Sequence, residues 1–250
     1  MSNLINYCLH LADNSLILTQ RNAAWCGHGP ILEQDIAITN ISLDLLGQSR
    51  NLYQYAAQLI NEANITEDTL AFTRKETEYR NCLLVEQPNG DWAQTILRQF
   101  FFSAFQYFHY EKLQHSSDPQ LAAISAKALK EVSYHLRWSS EWVIRLGDGT
   151  NESHERMLKA SDELWRYTGE LFNPAHFESA LVKEGISNDL SELKKTWIEK
   201  ITEVFSEATL PVPENAFMQG GGKDGKHTEH MGFILSDLQY MQLVYPNCEW

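Results

Sequence analysis

The sequence predicts an all-α protein, with four long helices first and shorter helices packed outside them. Three observations predict it. Apolar residues recur at helical spacing along several extended runs. Clusters of Gly, Pro, Asn and Asp punctuate the ends of those runs. No stretch alternates apolar and polar residues over a useful strand length, and neither an internal repeat nor a low-complexity segment occurs.

The first helix runs from Leu4 to about Ala24, with Leu4, Cys8, Leu11 and Leu18 on one stripe. Trp25-Cys26-Gly27-His28-Gly29-Pro30 stops it, and His28 reads as a helix-end cap or loop packing residue rather than a ligand. The second helix spans about Ile31 to Asn61 and carries Ile38, Ile41, Leu45 and Leu52. Asp44 lies in the middle of it, so its charge calls for a cation or a polar cavity. From Thr69 to Glu86 comes a segment holding Arg74, Lys75 and Arg80, a basic cluster in an acidic chain. It reads as a solvated helix face compensated by Glu76 and Glu78, or as a patch for phosphates.

Pro88-Asn89-Gly90 is a turn and Asp91 an N-cap. The third helix, Trp92 to His115, is apolar on most sides and therefore expected to be central. His109 and Glu111 lie near its end and are expected to be exposed. Asp118-Pro119 opens a fourth helix that reaches about Leu146, where Gly147-Asp148-Gly149 ends it. Shorter helices follow over Glu152–Phe172, Ala175–Glu184 and Leu190–Ser206. Pro211 to Lys226 is a loop with Gly220-Gly221-Gly222; the triplet lacks the order of a phosphate-binding loop. The final helix starts near Thr228, whose N-cap role accounts for His227-Thr228-Glu229-His230 better than a metal spacing does.

The chain has 250 residues, 43% of them hydrophobic, enough for a sizeable core. One helical domain over 1–250 is expected, with a core bundle at about 4–147 and peripheral helices at about 151–245. A net charge of −13 disfavours nucleic acid and the anionic face of a membrane. No run approaches the roughly 18 apolar residues of a membrane span. The opening Met1-Ser2-Asn3-Leu4-Ile5-Asn6-Tyr7 lacks the basic-then-apolar order of a signal peptide. Cys8, Cys26, Cys82 and Cys248 are far apart, which suits inert thiols in a cytoplasmic protein.

Two stretches bear on metal chemistry. Helical bundles that hold two irons present Glu and His at i and i+3 from each of two helices, and a Glu from each of two more. In the fourth helix His135 is present, but Val132 stands three before it and Glu131 four before it. In the second helix the matching pair is Leu45 and Gln48; leucine cannot ligate iron and an amide is a poor substitute for imidazole. The third helix offers no Glu near its middle. The alternative is an unusual site on Asp13, Asp44, Glu131 and His135.

Several stretches resemble the C-component family of bacterial phenylacetyl-CoA epoxidases: Trp25–His28, Leu43–Arg50, Leu83–Gly90, Ile124–Ala128 and Gly225–His230. The resemblance covers essentially the whole chain. It implies a ferritin-like four-helix bundle and a place in a multicomponent monooxygenase of aerobic phenylacetate breakdown. It also implies that the di-iron site and the epoxidation belong to the A subunit, that a reductase supplies electrons, and that the C component is the partner without iron. On that reading Leu45, Gln48, Val132 and His135 mark a remnant site, and no cofactor is expected in this chain. A polar network of Asp44, Lys127, Glu131 and His135 is expected to fill the cavity. With a CoA thioester as substrate near the interface, Arg74, Glu78, Tyr79, Arg80 and Asn81 are candidate contacts, with a second wall at Ser179, Ala180 and Leu181.

Overall fold

Ser2 sets the start of the first helix, its Oγ accepting from the Ile5 N–H at 3.3 Å. The computed structural model describes residues 2–214, 216–246 and 248. Met1 at the start of the expected domain, Asn215 of the long loop, and Asn247, Glu249 and Trp250 beyond the final helix lie outside the described residues. The helices are α1 (Asn3–Ala23), α2 (Leu32–Ile60), α3 (Glu67–Phe72), α4 (Leu83–Glu86), α5 (Trp92–Leu113), α6 (Pro119–Gly147), α7 (Asn151–Trp165), α8 (His176–Lys183), α9 (Leu190–Glu207) and α10 (Glu229–Val244). Short 3-10 turns occupy Glu76–Glu78, Gly169–Phe172 and Gly222–Asp224, and no strand occurs among the described residues. The all-α expectation is met.

The chain divides into two compact units, residues 1–86 with 221–250 and residues 87–220. In the first unit α1 and α2 form the principal pair. Thr19 meets Ser42 and Asp13 meets Tyr53, so the two helices run antiparallel. Asn61 closes α2 in the left-handed region (φ 54°), a helix end that Asn tolerates better than most residues. After α3 the chain leaves the helix at Thr73. The segment Thr69–Glu86 is therefore not one solvated helix but a short helix, a 3-10 turn and a second short helix. The cause is tertiary, because Arg74 turns inward onto α1.

In the second unit α5 pairs with α6 and packs on α7 and α9. Asp91 and Asp118 cap α5 and α6 through the N–H groups of Gln94 and Leu121 at 3.0 and 2.9 Å. Buried Arg98 donates to the Gln87 carbonyl at 2.5 Å and to Asn89 Oδ1 at 2.6 Å, which fixes the turn before α5. Phe101 is the centre of an aromatic core, with ring centroids of Trp165, Trp197 and Phe205 at 5.7, 5.8 and 6.0 Å. Two expectations need correction here. His109 is buried rather than exposed, stacked on Phe105 at 5.2 Å and held by Asn188. The helix expected to reach Phe172 stops at Trp165, where Thr168 bonds back to the Trp165 carbonyl at 2.8 Å and a 3-10 turn follows.

Candidate functional site

Asp13 sits in the middle of the apolar stripe of α1 and is fully buried. A carboxylate there requires partners. Its Oδ1 accepts from the Tyr53 hydroxyl of α2 and from Arg74 Nη2. Its Oδ2 accepts from Arg74 Nη1 at 3.1 Å and from the Arg80 N–H at 2.7 Å. The Arg74 donors also reach the carbonyls of Glu78 (2.9 Å) and Leu70 (2.5 Å). The guanidinium lies 4.2 Å from the Tyr79 ring centroid. Burial opposes the Arg74 charge, but the Asp13 carboxylate, with Tyr53 and Tyr79, offsets it and holds the group above its ordinary pKa. Burial first, and then Asp13, push the Tyr53 hydroxyl well above its usual range, so it remains a donor. Burial likewise pushes Tyr79 up to about 12. Its hydroxyl donates to the Ala71 carbonyl at 2.6 Å and accepts from Gln239 of α10 at 3.0 Å.

A second carboxylate, Glu86 of α4, is also fully buried. Oε2 faces His227 Nδ1 at 2.8 Å and Asn81 Nδ2 at 3.0 Å, while Oε1 accepts from the Thr228 N–H at 2.6 Å. Thr228 occupies the N-cap position of α10, yet its side chain makes no capping bond; the Glu86 carboxylate instead accepts from the backbone N–H of Thr228 itself. His227 Nε2 lies 3.2 Å from the Tyr79 carbonyl. Both ring nitrogens thus face acceptors, the arrangement that suits the doubly protonated ring. Burial works against that charge, but the Glu86 bond and charge prevail and the His227 pKa is raised. The backbone carbonyl of Glu86 accepts from Arg21 Nη2 at 2.6 Å, tying α4 to α1. Two glycines at the end of the long loop serve close approach and a left-handed turn. A Cβ on Gly222 would stand 2.1 Å from the Asn81 carbonyl oxygen, and Gly225 has a φ of 78°.

The His227 shift gives a prediction with a definite sign. A group whose folded pKa is raised stabilises the fold fully below its unfolded pKa, about 6.5, and loses that contribution as pH rises through the folded value. The difference in unfolding free energy between the wild type and His227→Gln is expected to be larger at pH 6 than at pH 9. Equal differences by urea titration at the two pH values would refute the pairing.

The candidates proposed from sequence fall as follows. Leu45 and Gln48 of α2 are buried in the first unit; Val132 and His135 of α6 are buried in the second. The four-membered buried network is corrected in its membership: Lys127 is exposed, Asp44 and Glu131 are half-buried, and His135 alone is fully buried. An exposed lysine keeps its hydration, so Lys127→Met is expected to change stability little. The phosphate patch is corrected in its geometry. Arg74 is engaged with Asp13, the Tyr79 ring is fully buried and so offers no face to adenine, and Asn81 is buried against Glu86. Glu78 is exposed and the Arg80 side chain half-exposed. In α8 Ser179 is exposed, Ala180 half-buried and Leu181 buried. Asp13, offered for an unusual metal site, has its carboxylate occupied by Arg74, Tyr53 and Arg80. Among the described residues no three His, Cys, Asp or Glu side chains converge as a metal site, and no helix is long and apolar enough to cross a membrane.

Sequence reasoning gave no role to Glu86, Tyr53 or Arg21, and explained His227 by the Thr228 cap rather than by a buried carboxylate. One signal was present for Glu86: a carboxylate directly after Leu83-Leu84-Val85 must share their burial if the segment packs.

An all-helical chain whose interior carries buried carboxylates held by arginine, tyrosine and histidine defines the class, all-α, and no specific activity. Comparison narrows it, for the sequence matches the family described as phenylacetic acid catabolic protein over residues 1–250, and the chain belongs to that family. It is 50% identical, over 250 residues and the full length of both chains, to the C component of the 1,2-phenylacetyl-CoA epoxidase of Escherichia coli (strain K12).

Proposed function

We propose that the chain is the non-catalytic structural subunit of a phenylacetyl-CoA epoxidase in aerobic phenylacetate catabolism, where it binds and stabilises the di-iron A subunit. The full-length similarity to the C component of such an enzyme is the observation behind the assignment to the complex. The residues at the inferred ligand positions support the non-catalytic part. Leu45 and Val132 are fully buried hydrocarbon without a lone pair, and Gln48 replaces an imidazole with an amide. Those residues do not fit a di-iron centre, so the metal belongs to the partner on this reading. The long helices α1, α2, α5 and α6 are the four that a ferritin-like bundle within one domain would use. A cytoplasmic setting accords with the free cysteines of the chain, which a reducing compartment keeps as thiols. The engagement of Asp13 by Arg74 speaks against a separate carboxylate site in this chain.

Elemental analysis and co-purification test the proposal. The chain alone is expected to carry substoichiometric iron and no oxygenase activity. Co-expressed with the A subunit, it is expected to elute in a complex of defined mass that holds iron and raises the solubility of that subunit. A pair of irons on the chain alone, or failure to associate, would overturn the proposal.

A further inference from the structure

One cavity in the first unit borders the Asp13 cluster, whose Tyr53 forms part of its wall. It has a volume of about 220 Å³ and lies between α1, α2 and α3. Leu16, Leu46, Ala71 and Phe72 give it hydrocarbon walls and Tyr53 an aromatic one. The Tyr53 hydroxyl is not available to a ligand, because it donates to Asp13 and accepts from Arg74 Nη2 at 3.1 Å. Ser49 also lines the cavity. It is 1% exposed, and its Oγ has no hydrogen-bond partner. A serine inside a helix can bond back to a carbonyl one turn earlier; Ser42 of the same helix does so at 2.8 Å. A buried hydroxyl without a partner costs free energy that a ligand can recover.

Size, polarity and charge together define what fits. A dry apolar cavity of about 150 Å³ admits benzene, so this one has room for a single ring with a short substituent. Most of the wall is hydrocarbon, and the Ser49 hydroxyl is its buried polar atom without a partner, which calls for one hydrogen-bonding group on an otherwise apolar molecule. The charged residues at the cavity are Arg50, Glu67 and Asp68, and Arg50 is already paired with Glu67 at 3.6 Å. The local balance is acidic, which disfavours a carboxylate or phosphate. We propose that this cavity is a binding site for a neutral monocyclic aromatic molecule bearing one short polar substituent, such as an aromatic alcohol, with Ser49 Oγ as its hydrogen-bond partner. The inference does not rest on the subunit reading, since it concerns one unit of the chain alone.

Fluorine-observed titration of the full chain with para-fluorobenzyl alcohol tests it, with para-fluorotoluene and para-fluorobenzoate as comparators. The alcohol is expected to saturate with a Kd near or below about 1 mM, as a ligand of this size allows. The toluene is expected to bind several-fold more weakly, and the benzoate more weakly again. Ser49→Ala is expected to weaken alcohol binding by roughly three- to tenfold, the value of one hydrogen bond, and to leave toluene binding unchanged. Leu46→Trp fills the cavity from a side chain that is 42% exposed, and is expected to abolish binding of both while the far-ultraviolet spectrum stays helical. Absence of saturable binding overturns the site, and is also what a socket reserved for a partner protein's side chain would give. Undiminished binding to a folded Leu46→Trp overturns it too. Should that variant fail to fold, Ser49→Ala decides the matter: alcohol binding equal to wild type refutes the assignment.

Discussion

Arg74→Met is expected to lower the unfolding free energy by about 3–5 kcal/mol, the cost of leaving a buried charge without its partner. The side chain of Arg74 is 9% exposed and that of Asp13 fully buried, so solvent cannot take over the neutralising role. In the variant, Tyr53 and the Arg80 N–H still donate to Asp13, but the guanidinium that neutralises it is gone. The same change releases the loop after α3, because the Arg74 guanidinium also binds the Leu70 and Glu78 carbonyls. Urea unfolding followed by circular dichroism measures the loss. Adding Asp13→Leu to Arg74→Met should recover a large part of it, since an apolar replacement of both partners removes the uncompensated charge. A loss below about 1 kcal/mol, the range of an exposed pair, would show that the pair is solvated in solution.

Glu86→Ala is expected to have an effect of similar size, about 3–5 kcal/mol, by a different route. Three donors lose an acceptor at once: the His227 ring, the Asn81 amide and the Thr228 N–H. The last of these matters most locally. Thr228 makes no side-chain cap, and the Glu86 carboxylate holds the backbone N–H of that residue at the entry to α10. Hydrogen exchange at the first turns of α10, from Met231 to Leu235, should therefore accelerate more than exchange in α9. Glu86→Gln keeps one acceptor oxygen and should lose less than the alanine variant. If α10 remains as protected in Glu86→Ala as in the wild type, the carboxylate does not anchor it.

Both variants act on residues whose importance was only partly readable in the sequence. The long helices were legible because their cause is local. Apolar residues at helical spacing fix the buried face of α1, α2, α5 and α6, and Asp91, Asp118 and Pro119 sit where a cap or a first-turn proline belongs. The absence of ligating side chains at Leu45 and Val132 was legible for the same reason, since identity and spacing alone decide what a position can donate. Asp44 and Asp13 looked alike as acids within apolar runs, and nothing local separated the half-buried one from the one that receives Arg74. Arg74 itself read as part of a surface cluster with Lys75 and Arg80. Its inward turn depends on a carboxylate 61 residues earlier in the chain. The partner of His227 stands 141 residues before it, so a capping threonine was the best local account of that helix start. The sequence by itself determined which faces of the long helices are apolar and that Leu45 and Val132 carry no side-chain donor atom. Only the tertiary structure decided which charges are buried, because the cost of burying a charge is set by partners that periodicity along one helix does not contain.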